Sequence, residues 1–270
     1  YRIIEKDGFH LDKKVEMILS ADTPTSISKS TGLGLIGFAE ALNELKPDLL
    51  MILGDRYELL AAAIAALFNR IPIGHIHGGD KTDSGHIDES TRHTISRYSN
   101  IHFAPTRAAA RRLINMGEER FRVQMVGTLS IDSVIDIPVF TKHELCTTLG
   151  LDSTREIIVC LFLPLPIESE KMGTHAKEIC ASIKKLKKQT IIIYPNNDDG
   201  SQDIIIEIEK LRDLSFVSIV KSLPNEQYIN LLRCADMLIG NSSSGIIEAP
   251  SLKLPVVNIG SRNVGREHAK

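Results

Sequence analysis

The 270-residue sequence is poor in cysteine, nearly without net charge and without a long apolar run, and each shortage narrows its class. The four cysteines, Cys146, Cys160, Cys180 and Cys234, lie far apart and form no CxxC pair. That spacing gives no disulfide framework, and a reducing cytoplasm is the expected location. Lys and Arg number 32 against 34 Asp and Glu, a formal charge of −2. Nothing in that balance calls for nucleic acid or an anionic membrane as partner, so any phosphate site must be local. No apolar run approaches the ~18–20 residues that span a bilayer. The opening residues show no signal-peptide core. The chain begins without Met and stops in a loop-like run from Asn263 to His268, so a piece is expected to be missing at each end.

What is present is a regular alternation of short apolar runs with longer helix-patterned stretches. Strands are expected over 15–19, 48–53, 71–77, 101–104 and 120–126 in a first half. A second half offers strands over 156–163, 190–194, 217–221, 237–239 and 256–259. Helices are expected over 34–45, 57–69, 89–98, 106–116, 171–188, 201–211 and 225–234. Continuous Ile/Val/Leu strands alternating with helices predict an α/β protein whose parallel sheets are covered on both faces. Strand signals lapse between about 138 and 156, which places an N-terminal domain over 1–140 and a C-terminal domain over 141–270. In such sheets ligands sit beyond the carboxyl ends of the strands, so the residues following each strand carry the chemistry.

After 48–53 comes Gly54-Asp55-Arg56-Tyr57-Glu58. Asp55 is expected at or near a helix N-cap. Arg56 would put a cation at the positive end of a helix, a conflict that a bound phosphate resolves. The run from His75-Ile76-His77-Gly78-Gly79-Asp80 through Asp88 and Glu89 holds three His, three Asp and one Glu. His75 and His77 are expected on one side of a strand, which admits zinc, but the spacing fits no closed zinc pattern. Acid–base chemistry is the more natural reading, since carboxylates and imidazoles at a crevice take different protonation states. A solvated polar loop with ordinary caps at Asp88 and Glu89 is the plain alternative.

In the second half, Gly240-Asn241-Ser242-Ser243-Ser244-Gly245 joins a strand to a helix. Small residues there leave N–H groups and hydroxyls for phosphate oxygens, and Glu248 could reach a ribose hydroxyl. No Gly-Lys-Ser/Thr follows, so the loop is not a Walker A motif. After 256–259, Arg262 and Arg266 among glycines suggest an anion clamp. Tyr194-Pro195-Asn196-Asn197-Asp198-Asp199-Gly200 is a further post-strand loop, polar and turn-rich.

Taken together, these stretches resemble the hydrolysing UDP-N-acetylglucosamine 2-epimerase family, which supplies N-acetylmannosamine-type sugars for sialic or legionaminic acid synthesis. The resemblance is carried by Gly54-Asp55-Arg56-Tyr57-Glu58, His75-Ile76-His77-Gly78-Gly79-Asp80, Ile87-Asp88-Glu89-Ser90-Thr91-Arg92-His93, Gly240-Asn241-Ser242-Ser243-Ser244-Gly245 and Asn258-Ile259-Gly260-Ser261-Arg262, in the family's order. It implies a glycosyltransferase-B-like fold, two Rossmann-like domains facing across a cleft. It also implies a reaction, anti elimination of UDP to a 2-acetamidoglycal followed by hydration with inversion at C2.

Carried over by position, Asp55 and Asp88 take acid–base roles with Glu89 beside them. Asp80 is the expected third carboxylate, with His77 as a base or supporting candidate. Arg56, Ser242, Ser243, Gly245, Glu248 and Arg262 match UDP-binding positions, and Asn196 and Lys221 join them as candidates. The resemblance implies a UDP-sugar substrate, no metal or other cofactor, and a homodimer or homotetramer. Two departures stand out. Leu163-Pro164 occurs where the family has His-Pro, and the family's N-terminal Gly-Ser/Thr-Arg loop is absent. The rival readings are a glycosyltransferase of the same architecture, a non-hydrolysing epimerase and a non-catalytic nucleotide-sugar sensor.

Overall fold

The computed structural model describes residues 1–19, 23–81, 87–196 and 198–267 and divides into two compact units. In the first unit the elements run α1 (Arg2–Lys6), α2 (Pro24–Leu45), β1 (Leu50–Leu53), α3 (Tyr57–Phe68), β2 (Ile73–Ile76), α4 (Ile87–Tyr98), β3 (Ile101–Ala104), α5 (Arg107–Asn115) and β4 (Val123–Met125). The four strands are parallel and lie side by side in chain order, with His75 opposite His102 across β2 and β3. The core gathers Ile52, Ile73 and Ile95 around the alanine face of α3. Alanine lets α3 approach its neighbours closely, which is why five of its alanines are buried.

The strand expected over 15–19 does not form. Leu19 N–H donates to Ser30 Oγ on α2 at 3.2 Å, and Met17 is buried. Gly34 and Gly37 open the surface of α2 here, since a Cβ on either would lie 2.6 Å from Met17 or 2.5 Å from Val15. The apolar side chains that suggested a strand thus find their partner on a helix. Residues 120–122, expected to begin β4, form a 3₁₀ turn instead.

The second unit runs α6 (Leu129–Asp136), α7 (Lys142–Leu149), β5 (Ile158–Leu161), α8 (Met172–Leu186), β6 (Thr190–Ile193), α9 (Ser201–Glu209), β7 (Val217–Val220), α10 (Asn225–Cys234), β8 (Met237–Gly240), α11 (Glu248–Ser251) and β9 (Val256–Asn258). Its five parallel strands take the order β7-β6-β5-β8-β9. Winding reverses at β5, the doubly wound arrangement that opens a ligand crevice at the strand carboxyl ends. Alternate residues feed two cores: Val159 and Ile191 face Leu145 and Leu231, while Cys160 and Ile192 face Met172 and Ile204. The four cysteines are all free thiols.

The expected linker is partly helical, and the units part between Gly127 and Thr128, earlier than the expected 140/141 boundary. Two side chains of α10 explain the shift. Arg233 donates to Val134 O and Ile137 O, at 2.5 and 3.0 Å, and Asn230 bonds Pro138 O and Phe140 N. The segment carrying α6 is thereby tied to the second unit. Residues 141–149, expected to be linker, carry a capping box between Thr141 and Glu144.

Gly240 is the tightest point of this unit, with φ +144° and a would-be Cβ only 1.9 Å from Leu161 O. Gly240→Ala is expected to destabilise the protein by about 3 kcal/mol or more. Thr141→Ala, which removes only a cap, should cost about 1 kcal/mol. Urea titrations of both variants check the contrast, and equal losses would contradict so close an approach of Gly240 to Leu161 O.

Candidate active site

The first unit assembles its polar residues around one arginine. Arg92, on the buried side of α4, is only 3% exposed. Its Nη2 forms an ion pair with Asp55 Oδ2, and its Nη1 donates to Asp80 O at 3.1 Å. Asp55 therefore does not cap α3. Arg56 occupies the N-cap position without a side-chain cap bond, and its Nε donates to Glu58 Oε2 at 3.3 Å. A carboxylate in the first turn thus meets the cation that the sequence placed at the positive helix end.

The loop after β2 is held from several sides. His77 leaves the strand with φ +67°, so it does not share a strand face with His75. Its N–H still donates to Phe103 O at 3.0 Å. Gly79, with φ +78°, passes so close to α5 that a Cβ would lie 2.4 Å from Ala109 O, and Arg112 donates to Gly79 O. Asp80 Oδ1 accepts from Lys81 N at 2.9 Å. Asp83 and His86, part of the expected acid–base run, lie outside the described residues.

Asp88 and Glu89 stand in the first turn of α4, which begins earlier than expected, so they are helical residues rather than caps. Asp88 and Arg92 are four residues apart and share a face, as do Glu89 and His93, whose Nε2 lies 3.7 Å from Glu89 Oε1. Asp55 and Asp80 are thus brought together through Arg92, with Asp88 and Glu89 on the same helix. Among the described residues no cluster of three or more His, Cys, Asp or Glu could hold a metal ion.

The second unit builds its loop differently. Asn241 is buried, and its side-chain amide takes both backbone groups of Leu163, accepting from N at 2.6 Å and donating to O at 2.7 Å. This clamp ties the loop after β5 to the loop after β8. Ser242 Oγ accepts from Ser244 N, and Ser243–Gly245 form a 3₁₀ turn. Asn263, 1% exposed, donates to Asn241 O, Ser242 O and Asn258 Oδ1, and Arg262 Nη1 donates to Asn241 O at 3.3 Å. The loops after β8 and β9 are therefore one structure holding Ser242, Ser243, Gly245 and Arg262.

Glu248 opens α11, and its Oε2 is buried with no hydrogen-bond partner among the described residues. Tyr228 stands near it, its phenol pushed up to about 12 by burial. Asn196 and Lys221 follow β6 and β7, on the far side of β5 from the serine loop. Asn196 Nδ2 donates to Asp198 Oδ2 at 2.5 Å, and hydrogen bonds from Arg212 and Tyr194 hold the Glu209 carboxyl low, with Lys221 adding a smaller pull of the same sign. The sequence reading missed Arg92, Arg112, Asn241 and Asn263 as site-builders. The spacing of Asp88 and Arg92 could have marked the first, whereas Asn263 carries no local signal.

Among the described residues, no helix is long and apolar enough to cross a membrane. The family model described as UDP-N-acetylglucosamine 2-epimerase matches residues 1–270. The chain is 36% identical over 266 residues to UDP-N,N'-diacetylbacillosamine 2-epimerase (hydrolyzing) of Legionella pneumophila, covering 98% of this chain and 70% of that protein. It is 34% identical over 269 residues to GDP/UDP-N,N'-diacetylbacillosamine 2-epimerase (hydrolyzing) of Campylobacter jejuni, with the same 98% and 70% coverage. The crystal structure of UDP-GlcNAc 2-epimerase from Neisseria meningitidis bound to UDP-GlcNAc matches with a TM-score of 0.80. It covers 95% of this chain and 70% of that one at 22% identity, a likeness of fold.

The site also fixes a pH dependence. His75 is completely buried, and burial lowers its pKa to about 4 from an ordinary 6.5. The unfolded chain therefore binds more protons than the folded one between those values. This contribution to stability is whole above the unfolded pKa and is lost as pH falls toward the folded one. Urea unfolding should show about 2 kcal/mol less stability at about pH 5 than at about pH 7 from this ring alone. Burial lowers His93 and His102 as well, adding slope of the same sign. A non-titrating His75→Gln variant should lose that share of the slope, and an unchanged slope would contradict a buried neutral ring.

Proposed function

Because the chain belongs to the UDP-N-acetylglucosamine 2-epimerase family along its whole length, we propose that it is a hydrolysing UDP-sugar 2-epimerase. On this reading it converts UDP-N-acetylglucosamine, or a UDP-2,4-diacetamido-trideoxyhexose, and water to UDP and the free 2-epimeric sugar. The observation that carries the reading is the Arg92 bridge, which draws the Asp55 carboxylate and the Asp80 backbone to the helix bearing Asp88 and Glu89. A proton-transfer site needs several oriented carboxylates, and a plain transferase of nucleotide sugars has less use for them.

The reaction has two halves. A base removes the C2 proton as the C1–O bond to UDP breaks, giving a 2-acetamidoglycal. Water then adds its hydroxyl to C1 while C2 takes a proton on the opposite face. We assign proton transfer to Asp55, Asp80 and Asp88, flanked by Glu89 and His77. Ser242, Ser243, Gly245, Glu248 and Arg262 hold UDP, with Arg56, Asn196 and Lys221 as further contacts. The buried, unpartnered Glu248 Oε2 supports a hydroxyl ligand there. The names of the two relatives reported above favour the diacetamido sugar. The reading includes a cytoplasmic homodimer or homotetramer that supplies sialic- or legionaminic-type synthesis; free cysteines support the location and resemblance supports the assembly.

The test is turnover of each UDP-sugar in heavy water, followed by proton NMR. Free 2-epimeric sugar with deuterium at C2, accumulating with UDP, is the expected outcome. UDP-bound epimer or no turnover on both sugars would refute hydrolysis. Asp55→Asn, Asp80→Asn and Asp88→Asn should each lower kcat by about a hundredfold or more while UDP still binds.

A further inference from the structure

His75 lies in β2, with Ile52 opposite it in β1 and His102 in β3. Its ring is fully buried, and both nitrogens are occupied. Nε2 lies 2.8 Å from Gly54 O, and Nδ1 lies 3.0 Å from Ser96 Oγ. A carbonyl oxygen can only accept, so Nε2 carries the proton and donates to Gly54 O. Nδ1 is then left to accept from the Ser96 hydroxyl. We infer that His75 is a positioning residue of the proposed reaction, acting through the Gly54 carbonyl and the Ser96 hydroxyl to fix Asp55 and the catalytic stripe of α4 in one geometry.

Three features carry the inference. The Gly54 carbonyl belongs to the same planar peptide unit as the Asp55 N–H, so a bond to that oxygen sets the plane from which Asp55 departs. Asp88, Arg92 and Ser96 recur at intervals of four residues and form one stripe of α4. The end of that stripe is anchored by His75, its middle grips Asp55, and its start carries a proposed proton-transfer group. Finally, a Cβ on Gly78 would lie 2.9 Å from His75 Nδ1 and 3.0 Å from Ser96 Oγ. The loop leading to Asp80 therefore packs directly on the His75–Ser96 pair. One imidazole joins the segments carrying Asp55, Asp80 and Asp88. With no exposed surface it cannot touch a sugar, so its effect must pass through these neighbours.

The inference rests on the epimerase reading, and its test separates the two. His75→Gln keeps a donor at the reach of Nε2, whereas His75→Asn places its amide at the reach of Nδ1 and loses the Gly54 bond. Rates are taken per folded protein, with UDP-sugar as substrate and product read by NMR. His75→Asn should lower kcat about ten- to a hundredfold with KM nearly unchanged, and His75→Gln should recover most of the loss. Ser96→Ala, likewise compared per folded protein, should also lower kcat at unchanged KM. Equal rates for Asn, Gln and wild type would overturn the positioning role while leaving the epimerase reading intact. Histidine ¹⁵N spectra give a readout independent of turnover, and an Nδ1–H tautomer at His75 would overturn the inference outright. A wild-type chain that turns over neither UDP-sugar would sink the function and this role together.

Discussion

The first unit depends on a single buried guanidinium. Arg92 satisfies a carboxylate after β1 and a carbonyl after β2 at the same time, from a helix that follows both. Burying a charge is costly unless it is paired and hydrogen-bonded, so these partners are conditions for Arg92 being where it is. The constraint runs both ways. Removing one partner of such a pair typically costs about 3–5 kcal/mol, because the other charge stays buried. Asp55 and the Asp80 backbone are thereby held by the cost of letting go. Arg112 repeats the device on Gly79 O from α5.

The second unit reaches similar rigidity with neutral groups. Asn241 closes a pair of bonds on the Leu163 backbone, and Asn263 gathers the carbonyls of Asn241 and Ser242. The serine loop is tied internally as well, with Ser244 N donating to Ser242 Oγ and Gly245 N to Ser242 O, so its dipoles are fixed in place. This contrast suits the proposed chemistry. Proton transfer needs groups that change charge, and diphosphate binding needs fixed dipoles that do not.

Much of the fold was legible because buried parallel strands are nearly pure Ile/Val/Leu and their helices are amphipathic. β3 and α10 fall where the pattern placed them, at Ile101–Ala104 and Asn225–Cys234. The failures are tertiary. Residues 15–19 have the composition of a strand, but their apolar side chains fit the glycine-lined surface of α2. The domain boundary moved because Asn230 and Arg233, nearly a hundred residues away, capture the carbonyls around Pro138. At the site, the acidic residues were visible as a cluster, while the arginine that organises them lay within the 87–93 motif without a role of its own. A cap was expected at Asp55 because local rules reward it, yet a buried cation outbids a helix end.

The departure at Leu163 can now be placed. It follows β5 directly after Phe162, and both its backbone groups are held by Asn241. The residue therefore sits in a fixed post-strand position, its backbone pinned to the loop after β8. A leucine offers neither proton nor lone pair. On the proposed reading, imidazole and carboxylate chemistry then falls to the residues gathered about Arg92. On that reading the geometry of the cluster, with Arg92 holding Asp55 and the Asp80 carbonyl and His75 holding the Gly54 carbonyl, sets where the proton transfers occur.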